Sequence, residues 1–374
     1  MAAKRPLVLN GGLTQRLKAQ DALSLCDYPS WSVNSNAWQQ TRKAFYGWWG
    51  RTYPQSSLST YTFGSLAGAT KWYGGVLAPN GMIYGIPYTS ASVLKIDPTT
   101  DTVTTFGSLT GTSKWGGGVL APNGMIYGIP LDSTTVLKID PATDTVTTFG
   151  SLSGTSKWVG GILAPNGMIY GIPRGSTAVL KIDPTTDTIT TFGSLTGTDN
   201  WIGGVLAPNG MIYGIPYAST SVLKIDPTTD AVTTFGSLSG TGKWYGGVLA
   251  PNGMIYGIPI DSTTVLKIDP PTDTVTTFGS LSGTGKWCGG VLAPNGMIYG
   301  IPRTSTTVLK IDPTTDTATT FGSLTGTDKW LGGVLAPNGV IYGIPFSSTT
   351  VLKSGVPYDD TQLDFCLSRF FNKF

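Results

Sequence analysis

Phe63–Thr105 reads FGSLAGATKWYGGVLAPNGMIYGIPYTSASVLKIDPTTDTVTT, and close copies of it follow head to tail. The tyrosine of the NGMIYGIP core recurs at Tyr84, Tyr127, Tyr170, Tyr213, Tyr256, Tyr299 and Tyr342, always 43 residues apart. A tryptophan keeps the same step from Trp72 to Trp330. A fixed period of this length signals a solenoid, a propeller or an array, each unit being one supersecondary element that needs its neighbours to bury its apolar face.

Within one unit the punctuation is dense, and helices have no room. Four short strands are predicted: Trp72 to Leu77, Met82 to Pro87, Ser92 to Asp97 and Thr102 to Phe106. We letter them A to D. Pro79-Asn80-Gly81 separates A from B, and the Asn-Gly pair predicts a type I′ hairpin. Asp97-Pro98-Thr99-Thr100-Asp101 separates C from D, with proline presetting φ and the aspartates free to accept from nearby amides. Four strands and their turns fill one propeller blade. Strand A, with Gly74-Gly75 in every copy, is expected innermost, where backbones converge. The Thr-rich strand D is expected outermost, as a polar edge. Lys95 and its counterparts are expected to form a solvated stripe.

The seventh copy stops after Val351-Leu352-Lys353, so it has no strand D of its own, while Leu58–Gly64 supplies a spare one. The N-terminal strand should therefore complete the last blade, which closes a ring and removes open edges. A solenoid would instead carry atypical capping repeats. The expected fold is an all-β, seven-bladed propeller over residues 58–355. It is preceded by residues 1–25 and an aromatic-rich linker, 26–57, and followed by a tail, 356–374. Both extensions should leave from the face that holds the A–B and C–D turns, called the bottom here.

The copies differ mainly in the D–A and B–C loops, on the opposite, top face. The A–B turn Ala-Pro-Asn-Gly is identical in all seven copies. By contrast, the residue after Ile-Pro is Tyr88, Leu131, Arg174, Tyr217, Ile260, Arg303 or Phe346, and the residue after Trp is Tyr73, Gly116, Val159, Ile202, Tyr245, Cys288 or Leu331. Tyr73, Tyr88, Asp132, Arg174, Tyr217, Tyr245, Asp261, Arg303 and Phe346 are thus the candidate ligand-binding residues of a top face, with drift at exposed loops as the alternative.

Much chemistry is excluded. The chain has no His, which removes Ser-His-Asp triads, Cys-His pairs and His-ligated metals. Seven-bladed lyases of the streptogramin-lyase type are expected to need a catalytic His. Asp132 and Asp261 lie three blades apart, too far to act as a glycosidase pair. The Asp-Pro-Thr-Thr-Asp turns carry too few carboxylates for calcium. Cys26, Cys288 and Cys366 have no repeating spacing, so neither a disulfide framework nor a zinc site is expected. No cofactor, metal or catalytic residue is expected, and the protein is read as a non-enzyme. A formal net charge of +3 gives no electrostatic footprint for nucleic acid. No run of 18 apolar residues suggests membrane insertion, and MAAKRPLVLNGG is too short in apolar core for a signal peptide.

At the N-terminus, Lys4 to Leu9, with Pro6, Leu7, Val8 and Leu9 as a strand-like run, is followed by Gly11, Leu13, Leu17, Asp21 and Leu23. Over these 25 or so residues the chain resembles the N-terminal segment of tailed-phage tail-fibre and other virion proteins, with Gln20 where that family has Gly. The resemblance implies that this end docks to the particle through Pro6, Leu7, Val8, Leu9, Leu13 and Leu17. It implies other tail or baseplate proteins as partners, a homo-oligomer on the particle and synthesis in the host cytoplasm. The top face would then meet a host saccharide or receptor. The alternatives are a purely structural virion component and a cellular propeller lectin or scaffold.

Overall fold

The computed structural model describes residues 59–355 of the chain. The docking segment, the aromatic linker, Cys26, Cys366 and the C-terminal tail lie outside them.

Seven four-stranded antiparallel sheets make up the described chain. In the first, β2 (Trp72–Leu77), β3 (Ile83–Pro87), β4 (Val93–Asp97) and β5 (Thr102–Phe106) pair in sequence order. Strands B and C start one residue later than predicted, because Met82 and Ser92 belong to the turns. The next five blades repeat this pattern. The seventh is built from β26 (Trp330–Leu335), β27 (Ile341–Pro345) and β28 (Val351–Ser354), with β1 (Thr60–Phe63) completing it. Thr60 faces Ser354 and Phe63 faces Val351. Phe63 meets Tyr342 edge-on at 6.0 Å, as Phe106 meets Tyr84 in the first blade. The borrowed strand therefore takes the register of the missing one: Phe63 and Thr62 match Phe106 and Thr105, while Tyr61 and Thr60 stand where the first blade has Thr104 and Val103. Gly355 N–H donates to the Ser59 carbonyl at 3.4 Å, so the chain enters and leaves side by side on the bottom face.

The core lies between blades. Strand B (Ile-Tyr-Gly-Ile-Pro) is buried along its whole length, which explains its unbroken apolar run: both of its faces meet neighbours. Val76, Tyr84, Ile86 and Val93 of blade 1 pack with Trp115, Ile126, Leu137 and Ile139 of blade 2. Strand D alternates as expected for an outer strand, with threonines exposed and Val103 and Phe106 half-buried.

The paired glycines of strand A serve two separate purposes. A β-bulge shifts register between Trp72 and Gly75, with Gly74 at φ +72°. These bulged glycines close on one another around the axis: a Cβ on Gly160 would lie 2.8 Å from the Gly203 Cα. Gly75 instead makes room for Ile344 of the preceding blade, whose Cδ1 would sit 2.6 Å from an added Cβ.

Two sequence expectations are corrected. The A–B turn is not type I′. Ala78 and Gly81 close a tight turn (Gly81 N–H to Ala78 carbonyl, 3.0 Å), and only Gly81 has positive φ, at +82°. Pro79 cannot take positive φ, so the loop is the three-residue kind that ends in a left-handed glycine. Nor do the strand C lysines form a free stripe. Lys95 Nζ lies 2.5 Å from Asp144 of the next blade, and five further interfaces repeat the pair.

Candidate functional site

The invariant bottom-face residues form an inter-blade clamp. Tyr84 is fully buried, and its hydroxyl donates to the Pro141 carbonyl (3.2 Å) and to Asp144 Oδ1 (3.1 Å) in the next blade's C–D turn. Asn80 Nδ2 donates to the same carbonyl at 2.8 Å and to the Tyr84 hydroxyl at 2.9 Å. Lys95 takes the other Asp144 oxygen and lies 5.9 Å from the Tyr84 ring centre. Burial, the largest influence, raises the Tyr84 pKa, and the Asp144 hydrogen bond raises that of Lys95. The second aspartate of the turn is thus left-handed (Asp144 φ +53°) so that it can face the neighbour, while the first, Asp97, accepts from Thr99 N–H at 2.8 Å as expected.

A second set of contacts was missed in the sequence. The lysine before each Trp is buried: Lys71 is 4% exposed, and its Nζ donates to the Gly68 carbonyl (2.7 Å) and to the Ser348 carbonyl of the preceding blade (2.9 Å). Burial lowers its pKa. Six copies keep this lysine, and Asn200 replaces it in the fourth. The repeated Lys-Trp dipeptide was the available signal.

On the top face the variable residues gather at the axis rather than around the rim. Tyr73, Leu131, Val159, Ile202, Ile260, Cys288, Leu331 and Phe346 form one buried cluster, with Tyr88, Tyr217 and Tyr245 half-buried against it. The hydroxyls of Tyr73 and Tyr245, from blades 1 and 5, bond to each other across the axis. Tyr88 lies 5.8 Å from Tyr73 and 5.6 Å from Phe346, ring centre to ring centre. The expectation of open loop aromatics therefore fails for Tyr73 and Phe346, which are 7% and 8% exposed: Tyr73 lies within the strand A bulge, Phe346 follows Ile-Pro at the end of strand B, and both join the buried cluster. Burial holds the Tyr73 pKa well above its usual value and pushes that of Cys288 up to about 12, which disfavours its thiolate.

The polar candidates join blade to blade. Arg174 pairs with Asp199, and Arg303 Nε lies 2.5 Å from Asp328 Oδ1. Asp132 Oδ1 accepts from Ser156 N–H and Asp261 Oδ1 from Gly285 N–H, each at 2.6 Å. The Ser113 hydroxyl donates to that of Tyr88 at 2.9 Å. Differences between repeats are therefore matched across interfaces: an arginine after Ile-Pro comes with an aspartate two places before the next Trp. Asp261 remains exposed, while Tyr88, Asp132, Arg174, Tyr217, Tyr245 and Arg303 are half-buried. What results is a patch of three half-buried tyrosines against an apolar plug, with two arginines nearby.

No curated protein matches the sequence. Among solved structures, a streptogramin B lyase superposes with a TM-score of 0.69 at 12% identity, over 81% of this chain and 99% of that one. Virginiamycin B lyase from Staphylococcus aureus gives 0.71 at 10% identity, over 80% and 100%. The extracellular domain of a hybrid two-component system from B. thetaiotaomicron gives 0.63 at 11% identity, over 83% of this chain and 44% of that one. At these identities the likeness is one of fold. The family model described as a repeat of unknown function, DUF6923, matches residues 123–258 and 204–354, and the chain belongs to that family.

Proposed function

We propose that this protein is a non-catalytic display module of a phage particle, a tail fibre or receptor-binding protein. The N-terminal arm docks to tail or baseplate proteins, and the tyrosine patch contacts a saccharide or protein on the host surface. The observation carrying this reading is the convergence of the most diversified side chains at one place, opposite the face where the chain enters and leaves. Tyr88, Tyr217 and Tyr245 offer ring faces for sugars, and Arg174 and Arg303 offer donors beside them. Each contact is weak, and several copies on one particle supply the avidity. The N-terminal resemblance supports the virion setting. Against lyase activity stands the lack of any His here, since a virginiamycin B lyase with one histidine replaced by alanine is described as catalytically inactive.

The test is binding of the full-length protein to host cells and to a glycan array, with Tyr88→Ala/Tyr217→Ala as the variant. A loss of about tenfold or more is expected, with a cooperative melting transition well above the assay temperature showing that the variant is folded. Unchanged binding would remove the tyrosine patch from the function. A second reading, a structural disc between virion proteins, is favoured by Arg174 and Arg303 already being paired within the chain. It predicts no cell or glycan binding by either form.

A further inference from the structure

The variable top-face residues carry a longer period than the blade: blades 2–4 and blades 5–7 repeat one another, with blade 1 left over. In the first set Ile-Pro is followed by Leu131-Asp132, then Arg174, then Tyr217. In the second it is followed by Ile260-Asp261, then Arg303, then Phe346. Two places before Trp, each set has an aspartate in its third blade, Asp199 or Asp328. The contacts repeat with the residues. Asp132 accepts from Ser156 N–H and Asp261 from Gly285 N–H, each at 2.6 Å, which ties the first blade of a set to the second. Arg174 with Asp199 and Arg303 with Asp328 tie the second to the third, and the paired side chains are exposed alike, 28% and 46% against 30% and 46%. Elsewhere in these loops the sets have diverged, with Ser113 against Gly242, Gly116 against Tyr245 and Val159 against Cys288. What they hold in common is the arginine and the bonds that position it, and Arg174 and Arg303 are the only arginines in residues 59–355.

We propose that each set forms one subsite for the carboxylate of an acidic saccharide, so that the face holds two, with Arg174 and Arg303 as the anion-binding residues. This rests on the top face being the ligand-binding face. Each arginine gives only Nε to its aspartate, and among the described residues no oxygen accepts from its terminal nitrogens. The aspartate thereby fixes the plane of the guanidinium and leaves its two-nitrogen end, which matches a carboxylate through two parallel bonds. Both side chains are half-buried, where such bonds are weakened less by water than on an open surface. Burial raises the pKa values of Tyr73 and Tyr217, and both arginines oppose that rise, so the two subsites lie beside one tyrosine patch. A phosphate, with its larger negative charge, would be repelled by Asp199 and Asp328 more strongly than a carboxylate.

The Nε–Hε signals in nitrogen-15 NMR spectra of the full-length protein report each arginine separately, once assigned with Arg174→Lys and Arg303→Lys. The probes are the methyl glycosides of glucuronate, galacturonate and N-acetylneuraminate, each with one carboxylate, and their methyl esters. At least one acid should shift both signals, with dissociation constants agreeing within about threefold, and its ester should bind about tenfold more weakly. Arg174→Lys keeps the charge but loses the fork. Arg303 should titrate in that variant as before, which shows both that it is folded and that the subsites are independent. No shift with any acid, a response from one arginine alone, or an Arg303 response lost with Arg174→Lys would overturn the proposal. So would an ester, or methyl glucoside 6-phosphate, that binds as well as the acid. Neutral glycans bound through Tyr88 and Tyr217 with both arginine signals unmoved would also overturn it, while leaving the binding face standing. Absence of all glycan and cell binding would remove both.

Discussion

Single residues explain why some repeat positions cannot vary and what happens when one does. In the fifth blade the middle of the C–D turn is Pro271, which has no N–H, and Asp269 Oδ1 is left buried without a partner among the described residues. Elsewhere that oxygen accepts from the backbone, as Asp97 does from Thr99. Pro271→Thr should therefore stabilise the protein. Relieving an unsatisfied acceptor contributes about 1–3 kcal/mol, against about 0.4–1 kcal/mol for the unfolded-state entropy that proline removes. Urea unfolding should show a net gain of about 1 kcal/mol. A second expectation concerns pH. Burial raises the Tyr84 pKa above the usual tyrosine range, so above about pH 10 the unfolded chain ionises this phenol while the folded chain keeps its proton. The stability that Tyr84 contributes is complete below that pH and falls above it. The difference between wild type and Tyr84→Phe should shrink as the pH rises from 9 to 11, and denaturant midpoints across that range would show it.

At the level of strands and turns, much was legible because the period repeats seven times: strand order, the innermost glycine pair and the polar outer strand follow from spacing and residue type. The turn type was misread because Asn-Gly was weighed without the proline before it. The lysines of Val-Leu-Lys-Ile-Asp gave no sign of their partner, because that partner lies 49 residues away in the next blade. The top-face residues vary between repeats as read, but the direction of those after Trp, such as Tyr73 and Tyr245, depends on a bulge that no residue pattern announced. Glycine replacements separate the two kinds of constraint. Gly160→Ala meets both a positive φ (+80°) and the Gly203 backbone, and should cost about 2–4 kcal/mol. Gly167→Ala has φ +82° with nothing within 4 Å, and should cost about 1–2 kcal/mol. Comparing the two melting temperatures isolates the contribution of crowding at the axis.

For the molecule as a whole, the last blade is completed by one short strand, beside the core packing and clamp that join it to the first. Deleting residues 1–64 should remove four ladder pairs, about 1–4 kcal/mol, and bare the edge of β28, so the truncated protein should melt earlier and associate, as light scattering would reveal. The same strand governs how the ring answers to force. A pull on the N-terminal end, resisted by anything holding the opposite face, runs along β1 and loads its bonds to β28 in shear, all at once, because they lie across the strand. Pulling the two chain ends apart instead peels that pair open one bond at a time from Ser59 and Gly355. The disc is therefore mechanically strong when tugged between its two faces and weak when its ends are separated.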